Sequence, residues 1–144
     1  MRLVFDACVI VKLLVPEVDS DVAAELFERS EVLVPDWSFL ECSHALWKKR
    51  RAGLLSDEEC RKRFGALSHL ELETHESQPL LEPARELALV LDHDVYDCLY
   101  LALAVAEDCQ LVTCDEELVR AARQAGLKRV VAVRSFRQMT GSGS

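Results

Sequence analysis

Val95-Tyr96-Asp97-Cys98-Leu99-Tyr100-Leu101-Ala102-Leu103-Ala104-Val105-Ala106 is the stretch that decides the fold. Its composition predicts a helix that is apolar on every side, and such a helix belongs in the interior of a domain. It is too short to span a bilayer. Downstream, Gln110 to Cys114 reads as a strand, Glu116 to Ala125 as a helix stopped by Gly126, and Arg129 to Val133 as a last strand. Upstream, Pro79 and Pro83 fall at the start of a helical pattern that runs to about Leu91, where a first-turn proline is tolerated. Leu70, Leu72 and Thr74 alternate with acids and predict a strand. Ser56-Asp57-Glu58-Glu59 is a capping-box pattern opening a helix towards Leu70. Further back, Asp36 or Ser38 starts a helix ending near Gly53, and Val32-Leu33-Val34 is a strand closed by Pro35. Ser20 or Asp21 caps another helix, Val9 to Leu14 is apolar up to Pro16, and Arg2 to Phe5 is the first strand. Short β-branched strands alternating with helices predict an α/β class: a three-layer α/β/α sandwich with a mainly parallel central sheet.

The chain has 144 residues, which fits one domain over residues 1–137, with 138–144 as a flexible tail ending in Gly141-Ser142-Gly143-Ser144. Half the residues are hydrophobic and 29% are charged, so a folded globule is expected rather than disorder. The net charge of −8 argues against bulk attraction to nucleic acid. The apolar start is broken at Asp6, so neither a signal-peptide core nor a membrane span is expected, and the expected location is cytoplasmic. The six cysteines form no CxxC pair, which leaves zinc-ribbon and thioredoxin-like motifs unsupported and predicts reduced thiols.

Most of the acids have solvated explanations: Asp57, Glu58 and Glu59 open a helix, and Glu71, Glu73 and Glu76 alternate along an exposed strand face. Four do not fit so easily. Asp97 sits within the apolar helix, and Glu41 is flanked by Phe39, Leu40 and Cys42. Asp6 follows the first strand and Asp115 the fourth. In an open parallel sheet, ligand sites form beyond the carboxyl ends of the strands. Taken singly, Asp6 and Asp115 can be helix N-caps, Glu41 can pair with Lys48 or a neighbouring arginine, and Asp97 can accept a buried hydrogen bond or pair with a basic residue elsewhere in the chain. Taken together, four converging carboxylates repel one another and resist burial, and a divalent cation relieves both penalties. Oxygen ligands suit Mg²⁺ or Mn²⁺ rather than Zn²⁺.

Four segments in order carry a family resemblance: Val4 to Lys12, Leu40 to Leu46, Val95 to Ala104 and Leu111 to Leu118. With this order and spacing, the chain resembles the PIN-domain ribonucleases, and most nearly the VapC-type toxins of toxin–antitoxin pairs. The resemblance implies that Asp6, Glu41, Asp97 and Asp115 are the catalytic, metal-binding quartet. Asp6, Asp97 and Asp115 would hold one Mg²⁺ or Mn²⁺, and Glu41 would complete a second site or orient the attacking water. The implied reaction is hydrolysis of RNA to 5′-phosphate and 3′-hydroxyl ends. Thr113 matches the hydroxyl usual before the last acid. Cys8 departs from the family's usual Ser or Thr, and a thiol there weakens a site-ordering hydrogen bond. The implied partner is a VapB-type antitoxin whose C-terminal segment enters the groove, and a homodimer or higher homo-oligomer is expected.

Lys48-Lys49-Arg50-Arg51 lies on the same predicted helix as Glu41, so these residues are RNA-binding candidates; the competing reading is a solvated helix end favoured by the helix dipole. His44, one turn from Glu41, reads as a packing residue more readily than a catalyst. Cys8, Cys42, Cys98 and Cys114 each lie within two residues of a quartet acid, either as small core residues or as thiols open to zinc or oxidation. Trp37 and Trp47 fit a core or an interface equally. Three rivals stand beside the toxin reading. One is a PIN nuclease with a housekeeping role in RNA processing. Another is a phosphoacceptor signalling domain, which needs a lysine at a late strand end. The third is a haloacid-dehalogenase-like phosphatase, which needs a second acid where Cys8 stands.

Overall fold

Leu3, Val4 and Phe5 are all buried although successive strand residues point to opposite faces, so the first strand is covered on both sides. The computed structural model describes residues 1–137, so the expected Gly-Ser tail lies outside them. In chain order the elements are β1 (Arg2–Phe5), α1 (Ala7–Leu14), α2 (Ser20–Glu28), β2 (Glu31–Pro35), α3 (Trp37–Arg51) and α4 (Asp57–Ser68). There follow β3 (Glu73–His75), a 3-10 turn (Gln78–Leu80), α5 (Leu81–Leu91), α6 (Val95–Ala106), β4 (Gln110–Thr113), α7 (Glu116–Gln124) and β5 (Val130–Ala132). The sheet order is β3-β2-β1-β4-β5, and every pairing is parallel. The strand order reverses between β1 and β4, where successive crossovers leave in opposite directions and open a crevice at the carboxyl edge.

The apolar helix α6 packs across β1, β2 and β4 and carries α5 on its outer side. Cys98 through Ala104 are all buried there. Leu101 and Leu103 are fully buried, and each contributes about 1.5–3 kcal/mol relative to exposure. The capping box at α4 is present: the Glu59 N–H donates to Ser56 Oγ and the Ser56 N–H to Glu59 Oε1, both at 3.1 Å. At the end of α7, Gly126 takes φ +83°, which lets the Leu127 N–H return to the Ala122 carbonyl.

Local signals misled at three points. The strand expected from Leu70 is only Glu73–His75, because Leu70 closes a turn onto Leu67 and the β2 register begins at Glu73. Asp36 precedes α3 without capping it; its carboxylate accepts the N–H and hydroxyl of Ser77. Helix α2 follows Asp19, held at φ +68°, and Ser20 Oγ accepts the N–H of Glu17 instead of capping the helix.

Candidate active site

The Asp6 N–H donates to the Val112 carbonyl at 3.0 Å, so this residue continues the β1–β4 ladder before the chain turns into α1. Its side chain is 3% exposed. Oδ1 accepts the Ala7 N–H at 2.7 Å and Oδ2 accepts the Thr113 hydroxyl at 2.8 Å. Thr113 Oγ1 also accepts the Asp115 N–H at 3.1 Å, so one buried hydroxyl at the end of β4 ties both strand-end acids together. The capping alternative holds in part: Asp6 and Asp115 cap α1 and α7, with Asp115 Oδ1 accepting the N–H groups of Glu117 and Leu118. Each cap occupies one carboxylate oxygen on the helix and leaves Asp115 Oδ2 turned towards the crevice.

Glu41, on α3, accepts the Tyr100 hydroxyl at 2.9 Å through Oε1, and Tyr100 stands on α6 one turn from Asp97. One carboxylate oxygen each from Asp6, Glu41 and Asp97 lies within 4.8 Å of the others. No Lys or Arg pairs with any of the three among the described residues. Burial, then the fields of Cys8 and Asp97, pushes Asp6 well above the usual aspartate range despite the Thr113 bond. Burial also raises Glu41, against the Tyr100 bond, and raises Asp97 to about 6. Three crowded carboxylates whose ionised forms are disfavoured, with oxygen donors only, fit a hard divalent cation.

Asp115 does not join that trio. It stands beside Asp97 and is linked to it by His93, whose Nε2 lies 2.8 Å from Asp97 Oδ2, 3.1 Å from Asp115 Oδ2 and 3.7 Å from Asp94 Oδ2. Burial lowers the His93 pKa, but the bond to Asp97 and the surrounding carboxylates outweigh this and leave it raised. His93, Asp94 and Asp97 form a second donor group within 4.8 Å. The reading of the sequence missed both His93 and Asp94. The signal was available: Asp94 is the N-cap of α6, its Oδ1 accepting the Asp97 N–H, and His93 precedes Asp97 by four.

The basic run of α3 diverges in space. Lys49 pairs with Glu17 at 2.6 Å, Arg50 pairs with Asp57, and the Arg51 guanidinium lies 5.5 Å over Trp47. Lys48 lines a concavity with Lys12, Cys8 and Cys114 and does not pair with Glu41. His44 is exposed and stacks on Trp47 at 5.4 Å. Trp37 and Trp47 are both exposed, so neither is core. Trp37 stacks on Tyr96 at 6.1 Å, and with Leu40 and His44 these rings wall a groove of about 540 Å³ whose floor includes Glu41, Asp94 and Asp97.

All six cysteines are free; Cys42 and Cys98 are buried, and Cys8 and Cys114 are partly so. Cys8 Sγ accepts the Cys114 N–H at 3.1 Å and lies 4.0 Å from Thr113 Oγ1, a long, weak sulfur contact. Burial pushes Cys42 and Cys98 to about 12. Neither donor group among the described residues contains a cysteine.

Fold and site together define an α/β/α domain with a cluster of carboxylates, able to hold a cation, at the topological switch of a parallel sheet. A family model for the PIN domain matches residues 3–124, and the chain belongs to the PIN-domain family. It is 35% identical over 121 residues to Ribonuclease VapC3 of Pyrobaculum aerophilum, covering 82% of this chain and 92% of that protein. Among solved structures, PAE2754 from Pyrobaculum aerophilum matches with a TM-score of 0.72 at 20% identity, over 99% of this chain and 96% of that one. VapBC2 from Rickettsia felis, solved bound to a DNA fragment from its promoter, matches with a TM-score of 0.65 at 16% identity, over 92% and 98%. At these identities the structural agreement is one of fold. No helix among the described residues is long and apolar enough to cross a membrane.

Proposed function

We propose that the protein is a metal-dependent endoribonuclease and the toxin of a VapBC-type pair. The observation that carries this reading is the Asp6–Glu41–Asp97 trio at the sheet switch, with Asp6 buried, Glu41 and Asp97 partly so, and no Lys or Arg paired with it among the described residues. The 35% identical relative is itself a ribonuclease of the VapC type, which supports RNA as the substrate. Mg²⁺ or Mn²⁺ held by these oxygens would supply an activated water near neutral pH and charge stabilisation at the phosphate. The chain's own residues do the positioning. Thr113 fixes Asp6 and the Asp115 backbone, Tyr100 fixes Glu41, and His93 holds Asp97 and Asp115 side by side.

The aromatic groove beside the acids supports two further parts of the reading. Trp37 and Tyr96 offer faces on which an unpaired base can stack next to the scissile phosphate. The same apolar wall suits a VapB-type antitoxin segment carrying a basic side chain towards the acids, and the exposed rings suit a homodimer contact. The test is cleavage of total RNA in Mn²⁺, in EDTA and with Asp97→Asn, followed by end mapping. Cleavage confined to wild type with metal, leaving 5′-phosphates, is expected. Equal cleavage by Asp97→Asn overturns the site, and toxicity on expression that a co-encoded small partner does not relieve favours the housekeeping alternative.

A further inference from the structure

A basic path starts at Thr113, the residue bonded to Asp6, and runs from there towards α7 and β5. Thr113 and Cys114 belong to the crevice of the acids, and they also line a recess of about 210 Å³ with Lys12, Glu116 and Arg134. Asp19, Glu116, Ala132 and Arg134 continue from that recess into a concavity of about 650 Å³ between α7 and β5. Arg120, Arg123 and Arg137 join Arg134 in lining it. Five cations thus face two contiguous depressions, against the acids Asp19 and Glu116. Arg134 pairs with Glu116, and Arg137 bridges Asp19 at 3.0 Å and Asp21 at 2.6 Å. Lys12 Nζ donates to the Val18 carbonyl at 2.7 Å. Arg120 and Arg123 have no ion-pair partner among the described residues, and both are exposed. Their spacing of three puts both on one face of α7. In a chain of net charge −8, an arginine pair without ion-pair partners, in a concavity that adjoins the recess lined by Thr113, the residue bonded to Asp6, is the feature least explained by stability or solubility.

We propose that this arginine-lined concavity is the track for the phosphodiester backbone of the RNA strand on one side of the cut, with Arg120 and Arg123 as its principal phosphate contacts. The proposal rests on the ribonuclease reading and adds to it where the strand lies. Guanidinium forks bind phosphate oxygens in a planar, bidentate way, and a groove of such groups holds a single strand without regard to sequence. The acids at the sheet edge repel RNA until cations mask them, so the binding energy for the strand has to come from beside the acids rather than from them. The recess at Lys12 and Arg134 connects the two.

The test uses the full chain in EDTA, so that no cleavage occurs, and a fluorescently labelled single-stranded RNA 12-mer titrated at 50 and 200 mM KCl. For single strands the logarithm of affinity falls with the logarithm of salt by about 0.7 per phosphate contact. If Arg120→Gln/Arg123→Gln removes two contacts, its affinity falls about sevenfold less than that of wild type across this range. The exposed pair Arg61→Gln/Lys62→Gln on α4 changes net charge equally and should leave the slope unaltered. In Mn²⁺, Arg120→Gln/Arg123→Gln should raise KM and spare kcat. An unchanged slope in Arg120→Gln/Arg123→Gln, or a reduced slope in the Lys48 to Arg51 quadruple Gln variant alone, overturns the track. Competition by a poly-glutamate peptide as tight as RNA also overturns it, in favour of an acidic polypeptide partner. Failure of the ribonuclease reading looks different: wild type itself then shows no RNA affinity in EDTA and no cleavage in Mn²⁺.

Discussion

Asp97→Asn should make the metal-free protein more stable and the metal-loaded protein relatively less so. Burial first, then Asp94 and Asp115, raises the Asp97 carboxyl from 3.8 to about 6 despite the His93 bond. At 1.36 kcal/mol per tenfold change in proton affinity, ionising Asp97 costs the folded state about 3 kcal/mol. Asp97 lies at the mouth of the groove, with 18% of its side chain exposed, and solvent screening reduces the figure to about 1.5 kcal/mol. Asparagine removes the charge and keeps an oxygen to accept from His93. The folded pKa lies above the unfolded one, so the penalty is absent below about pH 4, grows as pH rises through about 6, and is complete by pH 7.5. In EDTA at pH 7.5 the variant should therefore melt about 5 °C above wild type, and the gap should close on acidification to pH 4. Adding Mn²⁺ at a hundredfold its Kd stabilises wild type by about 2.7 kcal/mol and the variant by little, so the order reverses. The assay is thermal unfolding by circular dichroism in EDTA and in Mn²⁺ across that pH range. A variant that melts below wild type in EDTA, or gains as much from Mn²⁺, would make Asp97 a structural acceptor and refute the reasoning.

Thr113→Val removes the hydroxyl that donates to Asp6 and accepts from the Asp115 N–H, and should cost about 1.5–3 kcal/mol in urea unfolding, while Thr113→Ser should recover most of it. Val recovering as much as Ser would show that the methyl, not the hydroxyl, matters. His93 brings an imidazole to Asp94 and Asp97, a mixed donor set that suits zinc better than oxygen ligands do. Inhibition of Mn²⁺-supported cleavage by micromolar Zn²⁺ should therefore be relieved in His93→Gln and persist in Cys8→Ser/Cys114→Ser; the opposite pattern would return the role to the thiols.

How much could be read from the residues alone depended on how local each cause was. Helix α6 was legible from Val95 to Ala106 because apolarity on all sides calls for burial, which Cys98 to Ala104 achieve while Val95, Tyr96 and Val105 at the ends stay exposed. The same argument exposed Asp97 as an anomaly, and anomalies of that kind mark sites. Asp36 looked like an N-cap and is instead bonded to Ser77, forty-one residues away, which no local pattern announces. The division of the acids into a trio and a His93-linked pair was equally hidden. It depends on the side-chain reach of Glu41 from α3 and on the Tyr100 hydroxyl, both set by how α3 and α6 pack against the sheet. His93 escaped notice because it sits just before an obvious helix, where a polar residue draws no attention.

Net charge and local field are different quantities in this structure. A total of −8 counts every carboxylate alike, yet electrostatic attraction is decided within a Debye length of about 8–10 Å. Several acids are already consumed by partners: Glu17 by Lys49, Asp57 by Arg50, Glu73 by Arg2 and His75. Asp6, Glu41 and Asp97 are arranged so that a divalent ion, once bound, cancels most of their charge. Other acids, such as Glu71 and Glu76, are simply exposed elsewhere. On the proposed track, the field that a strand meets is set by Lys12, Arg120, Arg123 and Arg134 and by whether the acid site is loaded. Metal there strengthens an attraction to a polyanion that the arginines already supply in EDTA, because the acids that repel the strand when empty lie along the path of the cations that hold it.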